Sequence, residues 1–292
     1  MRISVFGPGA LGCLFAARLH AAGHGVTLVD HRPERAARLA GAGIRVDSAG
    51  ESSLYPIPIQ VQAPPDTELS LVLVKSHATH GVAVPSAGLV LTLQNGLGNA
   101  EELAAAAGAH RLLAGTTAEA ATLLGEGHVR HVAPGVLWLG AWTDASCEGA
   151  MEALASAGFD ARYTANPREA LWAKTILNAA VNPLTALLNV PNGRLREIPP
   201  ARAMLHSLAR EAVAVARAEG YCLEIDAAAR AEQVCLDTAA NISSMLQDIR
   251  AGRPTEIEAI SGEVLRRAAH AGIAAPHTQV AYALVRALES RA

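Results

Sequence analysis

The first 30 residues alternate between strand-like and helix-like segments around a glycine-rich turn. The run RISVF at residues 2–6 predicts a strand, and VTLVD at 26–30 predicts a second one. Between them lie GPGALG at 7–12 and an Ala- and Leu-rich segment that predicts a helix ending near Gly23. A strand–helix–strand unit of this kind needs parallel strands, so we expect the chain to begin with an α/β domain.

The GxGxxG spacing in this turn is typical of a dinucleotide-binding loop. Gly7 permits the tight turn, Gly9 lets a pyrophosphate approach the backbone, and Gly12 lets helix and strand pack closely. Free N–H groups at the helix start would then bind the phosphates. The alternative is a glycine-rich turn without a ligand, but the motif follows a strand and opens a helix, which favours the binding loop. The predicted cofactor-binding residues of this loop are Gly7, Pro8, Gly9, Ala10, Leu11 and Gly12.

The end of the second strand usually selects between NAD and NADP, and its residues conflict. Asp30 lies near the offset from the glycines at which an acidic residue holds the ribose hydroxyls of NAD. Arg32 and Arg35 follow closely, and an Arg at this place suits the 2′-phosphate of NADP. Asp30 could instead cap the helix predicted from PERAARL. These residues alone leave both cofactors open.

Further strand-like runs follow in the first half. They are LSLVLVKS at 69–76, GLVLTLQNG at 88–96, LLAGTT at 112–117 and VLWLG at 136–140. Their nearly continuous apolar character is typical of parallel strands buried on both faces. Ligands of open α/β sheets bind at the carboxyl ends of such strands, where Lys75 and Asn95 lie. Lys75 could alternatively be a solvated residue at a strand end.

From about residue 166 onward the strand pattern gives way to helices separated by proline and glycine. We predict helices at 168–189, 199–220, 226–238, 241–251, 255–271 and 277–290. The sequence therefore predicts an α/β Rossmann domain at 1–166 and an all-α substrate-binding and catalytic domain at 167–292.

The first of these helices carries a polar stripe. Lys174, Asn178 and Asn182 are spaced four residues apart and therefore project from nearly the same helix face. Most of the remaining residues are Ala, Leu, Ile, Val and Trp, and Asn is a poor helix former. One amine and two amides in a row on an otherwise apolar helix suggest one wall of a polar site.

The segment 241–273 contains a second group of polar residues at predicted helix starts. Thr255 would cap a helix in which Glu256 leans toward the apolar stripe and Glu258 faces water. Glu256 could serve only the electrostatics of the helix N-terminus, or it could be a site residue. Three further polar residues lie where the preceding helix begins, and one of them is expected to cap it: Asn241, Ser243 and Ser244.

Composition argues against several other classes of protein. The net charge is −3, and no run of Lys and Arg resembles a nucleic-acid-binding surface. No window of about 20 apolar residues predicts a membrane span, and the first residues lack the apolar core of a signal peptide. No CxxC pair or His at metal-ligand spacing occurs, so we predict no metal site, reduced thiols and a cytoplasmic location. The four cysteines are Cys13, Cys147, Cys222 and Cys235. A helical second domain also permits a homodimer.

Five stretches carry a resemblance to a known family. They are GPGALG at 7–12, VLVKSHAT at 72–79, QNGLGN at 94–99, LWAKTILNAAVNPLTALLNVPNG at 171–193 and NISSMLQDIRAGRPTEIEAISG at 241–262. With these stretches the chain resembles the ketopantoate reductase (2-dehydropantoate 2-reductase) family over nearly its whole length. The resemblance implies a 6-phosphogluconate-dehydrogenase-like two-domain architecture. It also implies NADPH-dependent reduction of a small 2-oxo acid, ketopantoate, to pantoate in pantothenate biosynthesis.

The resemblance also implies roles for single residues. Lys174 would be the general acid, and Glu256 a catalytic residue that also lies near the cofactor. The implied cofactor contacts beyond the glycine loop are Arg32, Lys75, Asn95 and Glu256. The implied substrate-binding residues are Asn178, Asn182, Asn192, Asn241 and Ser244. Members of the family commonly have an Arg at the end of the second strand, where this chain has Asp30-His31-Arg32. NADPH is therefore favoured, and NADH stays open because of Asp30.

Two other functions fit part of this pattern. A reductase of another small 2-oxo acid would keep the same residues, because a fold does not determine its substrate. A non-catalytic dinucleotide-binding regulator would keep the glycines but would not need Lys174 and Glu256. Both residues are present, which favours an enzyme.

Overall fold

The computed structural model describes residues 1–222 and 226–291, and the chain divides into two compact units. The first unit comprises Met1–Gln94 and Asn99–Ala170. The second comprises the chain from Leu171 onward together with the short segment Asn95–Gly98. Four residues from the middle of the first half therefore belong to the second unit.

The described strands all lie in the first unit. In chain order they are β1 (Arg2–Phe6), β2 (Gly25–Val29), β3 (Ile44–Ser48), β4 (Glu51–Tyr55), β5 (Ile59–Gln60), β6 (Leu69–Val72), β7 (Leu89–Thr92), β8 (Leu112–Thr117), β9 (Ala120–Gly125), β10 (His128–Ala133), β11 (Val136–Ala141) and β12 (Asp160–Tyr163). The helices that accompany them are α1 (Ala10–Ala21), α2 (Pro33–Ala42), α3 (Asn99–Ala107) and α4 (Glu148–Ser156). Two 3₁₀ turns span Ser76–Gly81 and Ala109–Arg111.

The larger sheet has eight strands in the order β12-β11-β8-β7-β6-β1-β2-β5. β1 pairs in parallel with β2 on one side and with β6 on the other. The chain thus builds outward from β1 in both directions, and ligands of such folds bind at the carboxyl edge beside the strand where the order reverses. This edge carries the glycine loop that follows β1. The predicted Rossmann domain is confirmed.

Apolar side chains from the strands and from α1 form the core of this unit. Val5 of β1, Leu28 of β2 and Leu71 of β6 are fully buried, as parallel strands covered on both faces require. On α1, the ring of Phe15 stacks on that of Phe159 with centroids 4.2 Å apart. This packing holds the start of α1, and with it the glycine loop, at the end of β1.

A second sheet, of four strands in the order β4-β3-β10-β9, is not predicted by the sequence patterns. Its strands are only partly buried, and ESSLY of β4 is mostly exposed. Strands of this kind lack the apolar run or clear alternation that identifies a strand. Two of the predicted strands, 69–76 and 88–96, are also too long, because β6 ends at Val72 and β7 at Thr92.

From Pro167 onward the described residues form helices and turns only, which confirms the all-α prediction for this half. The helices are α5 (Pro167–Leu188), α6 (Arg194–Glu197), α7 (Pro199–Ala218), α8 (Ala227–Asp237), α9 (Ser244–Arg250), α10 (Glu263–Ala271) and α11 (Pro276–Glu289). The segment predicted as one helix at 255–271 is instead a π-helical turn, Glu258–Gly262, followed by α10. None of the described helices is both long and apolar enough to cross a membrane.

A carboxylate from α7 holds the N-terminus of α11. Glu211 accepts hydrogen bonds from the backbone N–H groups and the side chains of His277 and Thr278, at 2.7–3.0 Å. Burial raises the pKa of Glu211, but these hydrogen bonds outweigh it and leave the pKa below its usual value. The negative charge also meets the positive end of the helix dipole. Glu211 is therefore expected to stabilise the helical unit in its ionised form.

Glu211→Gln should lower the free energy of unfolding at pH 7 by about 1 kcal/mol, because the charge is lost. A carboxyl with a lowered folded-state pKa stabilises above its unfolded pKa, and the effect disappears as the pH falls through the folded pKa. The difference between variant and wild type in urea unfolding should therefore shrink below about pH 4. Glu51→Gln, at an exposed position of β4, is the control and should change little. Equal stability of Glu211→Gln and wild type at pH 7 would contradict this role.

Candidate active site

The loop between β1 and α1 has the backbone that its glycines predict. Gly7 has a φ of +98°, and a Cβ there would lie 2.9 Å from the backbone of Val74. A Cβ at Gly12 would lie 1.9 Å from the carbonyl oxygen of Gly7. A Cβ at Gly9, in contrast, would meet nothing within 4 Å. The loop is thus tightly packed against the protein and open beside Gly9, where N–H groups at the start of α1 fit a pyrophosphate.

Asp30, at the end of β2, is directed into the protein, and its side chain is fully buried. It accepts one hydrogen bond from the guanidinium of Arg35 and another from the backbone N–H of Arg32, the latter at 3.2 Å. Asp30 thereby binds the residue that precedes α2, but the N-cap of α2 is Arg32 and has no side-chain cap, so the capping alternative is wrong. The side chain of Arg32 is 56% exposed, with its Nε 3.9 Å from the carboxylate. The exposed side chains at this strand end are those of His31 and Arg32.

A buried hydrogen-bond network joins the segments that follow β6 and β7, and no sequence motif indicates it. The side-chain amide of Gln94 donates to the carbonyl of Val74 at 2.9 Å and to the hydroxyl of Thr79 at 2.8 Å. Thr79 donates in turn to the side chain of Asn99 at 3.0 Å. Lys75 directly follows Val74 and is half-buried. The network therefore fixes the backbone that carries Lys75.

The segment Asn95–Gly98 packs against the π-helical turn within the second unit. Gly96 has a φ of +83°, and a Cβ there would lie 2.3 Å from the carbonyl oxygen of Ala259. The backbone N–H of Leu97 donates to that same oxygen at 2.8 Å. These contacts bring the side-chain amide of Asn95 within 3.2 Å of the carboxylate of Glu256, although 161 positions separate the two residues in sequence.

Lys174 on α5 interacts electrostatically with this carboxylate. Burial lowers the pKa of Lys174 to about 8, and the charge of Glu256 opposes that shift. Glu256 is itself buried, at 6% exposure. An amine with this pKa is mostly protonated at pH 7 and gives up its proton far more readily than an ordinary lysine. Lys174 and Glu256 thus have the properties of a proton donor and its electrostatic partner.

The polar stripe continues along α5 as predicted. Asn178, one turn beyond Lys174, is half-buried, and Asn182, two turns beyond, is buried. Pro183 follows inside the helix, and since proline has no N–H, the carbonyl of Ala179 has no i+4 amide to accept from. This stretch of α5 therefore offers polar groups from both its side chains and its backbone.

Asn192 lies in the turn before α6 and is buried. Its side-chain amide donates to the hydroxyl of Thr238 at 2.9 Å, and its backbone N–H donates to the carbonyl of Asn241 at 3.0 Å. The side-chain carbonyl oxygen of Asn192 is buried without a hydrogen-bond partner among the described residues. The structure thus connects Asn192 to Asn241 and leaves Asn192 with one unused acceptor.

Ser243 is the residue that caps α9, through a 3.1 Å hydrogen bond from the backbone N–H of Leu246. Its hydroxyl also bonds to that of Thr185 at 2.7 Å, and Thr185 donates to the carbonyl of Asn182 at 2.9 Å. The start of α9 is thereby tied to the polar stretch of α5. The other two polar residues of this segment, Asn241 and Ser244, are exposed and are not used as caps.

The small number of lysines points to two candidate site residues, and motif analysis does not use this number. Of the 24 Lys and Arg residues, two are lysines, Lys75 and Lys174, and both are candidate site residues. Arg stays protonated throughout the physiological pH range, whereas a buried Lys can change its charge. The choice of Lys in place of Arg at these two positions therefore singles them out as candidates for a role that needs an amine.

The π-helical turn beside Glu256 is held by α11. Glu258 at the start of the turn accepts hydrogen bonds from the hydroxyl of Tyr282, at 2.6 Å, and from the guanidinium of Arg286. A Cβ at Gly262 would lie 2.7 Å from the carboxylate of Glu258. The apolar residues recur here at helical spacing, so they predict an ordinary helix and do not indicate the π turn. Such turns are frequent at functional sites.

Comparison with known proteins relates these features to one family. The family model described as Ketopantoate reductase PanE/ApbA matches residues 3–144, and the model of its C-terminal part matches residues 166–289. The 2-dehydropantoate 2-reductase of Halobacterium salinarum is 37% identical over 98% of this chain and 98% of that relative. Both units therefore have counterparts in proteins of this kind.

Two solved structures extend the comparison. A PanE/ApbA family ketopantoate reductase from Ralstonia eutropha has a TM-score of 0.90 and 32% identity, covering 100% of this chain and 99% of that one. D-Mandelate dehydrogenase with NADH and anilino(oxo)acetate has a TM-score of 0.93 and 25% identity, with the same coverage. The fold is therefore similar to that of enzymes with two different names.

Gly96→Ala should disturb the site as well as the fold. The positive φ and the contact with Ala259 should lower the free energy of unfolding by about 1–3 kcal/mol. Displacement of Asn95 from Glu256 should reduce kcat/KM by about 100-fold. Urea unfolding and steady-state kinetics measure the two effects.

Gly41→Ala is the matched control for this substitution. Gly41 lies in α2, is exposed, and would carry a Cβ with nothing within 4 Å. Stability should stay unchanged or rise by up to about 1 kcal/mol, with unchanged kinetics. Wild-type kinetics in Gly96→Ala would show that the contact does not position Asn95.

Proposed function

Because the chain belongs to the ketopantoate reductase family, we propose that it reduces 2-dehydropantoate (ketopantoate) to pantoate, with NADPH as the hydride donor. The observation that carries the proposal is Lys174, whose pKa is lowered to about 8 by burial and which interacts with the buried carboxylate of Glu256. Asn95 donates to that carboxylate. The proposed reaction belongs to pantothenate biosynthesis, and its proposed location is the cytoplasm.

Lys174 is the general acid of this reaction. The reduced nicotinamide, when bound, supplies the hydride that adds to the ketone carbon. Negative charge then develops on the ketone oxygen, and the protonated amine of Lys174 stabilises it before donating a proton to that oxygen. Glu256 keeps the amine charged until this point, because its carboxylate opposes the effect of burial on the pKa. The result is a hydroxyl group on the former ketone carbon.

Polar residues of the helical unit bind the substrate. Asn178 and Asn182, on the same face of α5 as Lys174, donate hydrogen bonds to polar substrate atoms or hold the amine in place. Glu256 accepts a hydrogen bond from a substrate hydroxyl. The carboxylate of the substrate is held from the start of α9, where Ser244 is exposed. Asn192 and Asn241 complete the proposed set.

The proposed binding residues of the dinucleotide lie mainly in the first unit. The open side of the glycine loop at Gly9 accommodates the pyrophosphate. Arg32 binds the 2′-phosphate, because it is the exposed cation at the end of β2, whereas Asp30 is buried. Lys75 and Asn95 are the proposed residues near the nicotinamide. NADPH is therefore the proposed cofactor.

A reductase of another small 2-oxo acid is the second candidate. The observation that favours it is the similarity to D-mandelate dehydrogenase with NADH and anilino(oxo)acetate, at a TM-score of 0.93. Both candidate reactions use Lys174 as the general acid, and their substrates differ in the side chain of the oxo acid. A non-catalytic regulator is disfavoured, because it would need neither Lys174 nor Glu256. Homodimers are compatible with each of these functions.

The proposal is tested by mixing the purified protein with ketopantoate and following the loss of reduced-nicotinamide absorbance, with NADPH and NADH in parallel. Oxidation of NADPH at a higher kcat/KM for ketopantoate than for other 2-oxo acids supports it. A higher kcat/KM for another oxo acid would favour the second candidate. Protein that binds cofactor but oxidises neither form with any oxo acid would point to the regulator.

Lys174→Arg is the sharpest test of the general acid. Arginine keeps the positive charge but does not release a proton in proteins, so kcat should fall by about 100-fold or more. In the wild type, kcat/KM should fall as the pH rises through about 8, because Lys174 acts in its protonated form. This alkaline decline should be absent in the variant.

Arg162→Lys is the matched control, since it exchanges the same two residue types at an exposed position of β12. Its pH profile should match that of the wild type. Cofactor binding by Lys174→Arg, measured by fluorescence, should also stay near the wild-type value. Turnover by Lys174→Arg at the wild-type rate would exclude Lys174 as the proton donor.

A further inference from the structure

We propose that Arg35 determines the cofactor preference without contacting the cofactor. It does so by binding Asp30, the one acidic residue that would otherwise favour NADH at the end of β2. The inference rests on the proposed use of NADPH and adds a positioning residue to it. In this arrangement Asp30 and Arg35 neutralise each other, and Arg32 remains available for the 2′-phosphate.

The burial of the three side chains separates their roles. Asp30 is 0% exposed, Arg35 is 21% exposed and Arg32 is 56% exposed. The guanidinium of Arg35 donates to Oδ2 of Asp30, while the backbone N–H of Arg32 donates to Oδ1. Both carboxylate oxygens are therefore used inside the protein. A carboxylate held in this way does not reach outward to ribose hydroxyls.

Arg35 and Asp30 also form a pair on the inner side of α2. The charges of both act on the thiol of Cys13, which is fully buried in α1, and Arg35 lowers the pKa of that thiol while Asp30 raises it. Burial has the larger effect and raises the pKa to about 12. A guanidinium that is bonded to a buried carboxylate and only 21% exposed is turned toward the protein. Arg32 is the better placed of the two arginines for a ligand.

Loss of Arg35 would leave a buried carboxylate without its main counter-charge, which is strongly unfavourable. Two responses are open to the protein, and both weaken the binding of a 2′-phosphate. Asp30 can turn toward solvent, where it repels the phosphate and can accept hydrogen bonds from ribose hydroxyls. Alternatively, Arg32, whose Nε already lies 3.9 Å away, can replace Arg35 and become unavailable. Only the first response also favours NADH.

The chain offers a matched control on the same helix. Arg38, one turn after Arg35, is exposed and pairs with Glu126 through two hydrogen bonds, at 3.0 and 2.9 Å. Arg38 has the same charge as Arg35 and lies on the same helix, but it pairs with Glu126 and not with the residue that follows β2. Arg38→Met removes an arginine from the surface of α2 without releasing Asp30.

The experiment measures the Kd of NADPH and of NADH by fluorescence titration, without substrate, for wild type, Arg35→Met and Arg38→Met. Arg35→Met should raise the Kd of NADPH by about tenfold or more, equivalent to at least 1.4 kcal/mol. The Kd of NADH should stay constant or fall. Arg38→Met should leave the ratio of the two Kd values near that of the wild type. Adenosine 2′,5′-bisphosphate and AMP, titrated in the same way, confine the effect to the ribose end.

The double variant Asp30→Asn/Arg35→Met distinguishes positioning from direct contact. If Arg35 acts by binding Asp30, removal of the carboxylate should restore NADPH binding to within about threefold of the Asp30→Asn single variant. If Arg35 binds the 2′-phosphate itself, the double variant should stay as weak as Arg35→Met, and the inference is wrong. Equal weakening of NADPH and NADH binding in Arg35→Met, with a lowered Tm, would indicate a purely structural role and would also overturn it.

The outcome is separable from that of the proposed function. Wild-type protein that binds NADH more tightly than NADPH would refute the proposed cofactor, whatever the variants do. An unchanged ratio of the two Kd values between wild type and Arg35→Met would refute the role of Arg35, even if the wild type prefers NADPH and reduces ketopantoate.

Discussion

The backbone hydrogen bond from Leu97 to the carbonyl oxygen of Ala259 is the contact on which the arrangement at Glu256 depends. It requires glycine at position 96, since a side chain there would collide with the same carbonyl. Through this contact Asn95 reaches Glu256, and Glu256 acts on the charge of Lys174. A buried carboxylate needs hydrogen-bond donors and a counter-charge, and it obtains them here from two distant segments. The hydrogen bond from Asn95 to the carboxylate that faces the candidate acid therefore depends on a contact between two backbones.

The predictability of the fold differs between its parts for a physical reason. Strands such as β1 and β8 are buried on both faces, so their apolar runs identify them in sequence. β4 is mostly exposed, and its polar sequence ESSLY does not differ from that of a loop. The π-helical turn also escapes prediction, because its apolar residues recur at the spacing expected of an ordinary helix. An element can be predicted from its sequence when it is buried, whatever its role in the protein.

Some residues of the candidate site could be predicted from the sequence and others could not. The glycines, Lys174 and Glu256 could be identified because spacing or resemblance singles them out in the sequence. The sequence could not show whether Asp30 faces a ribose or the protein interior. An Asp that binds ribose and an Asp that binds Arg35 would occupy the same position in the sequence. The network of Gln94, Thr79 and Asn99 likewise consists of ordinary polar residues whose value comes from burial together. Pairing over long sequence distances is information that a single sequence does not contain.

The scarcity of lysine in this chain has a chemical consequence. Acyl donors, aldehydes and other electrophiles react with unprotonated amines, and guanidinium groups are far less nucleophilic. With its pKa lowered to about 8, Lys174 is in its reactive form more often than an ordinary lysine. The other lysine, Lys75, is half-buried. Acylation of lysine side chains in this protein, whether by a laboratory reagent or by cellular metabolites, is therefore confined to two residues of its candidate site, while its arginine-rich surface is spared.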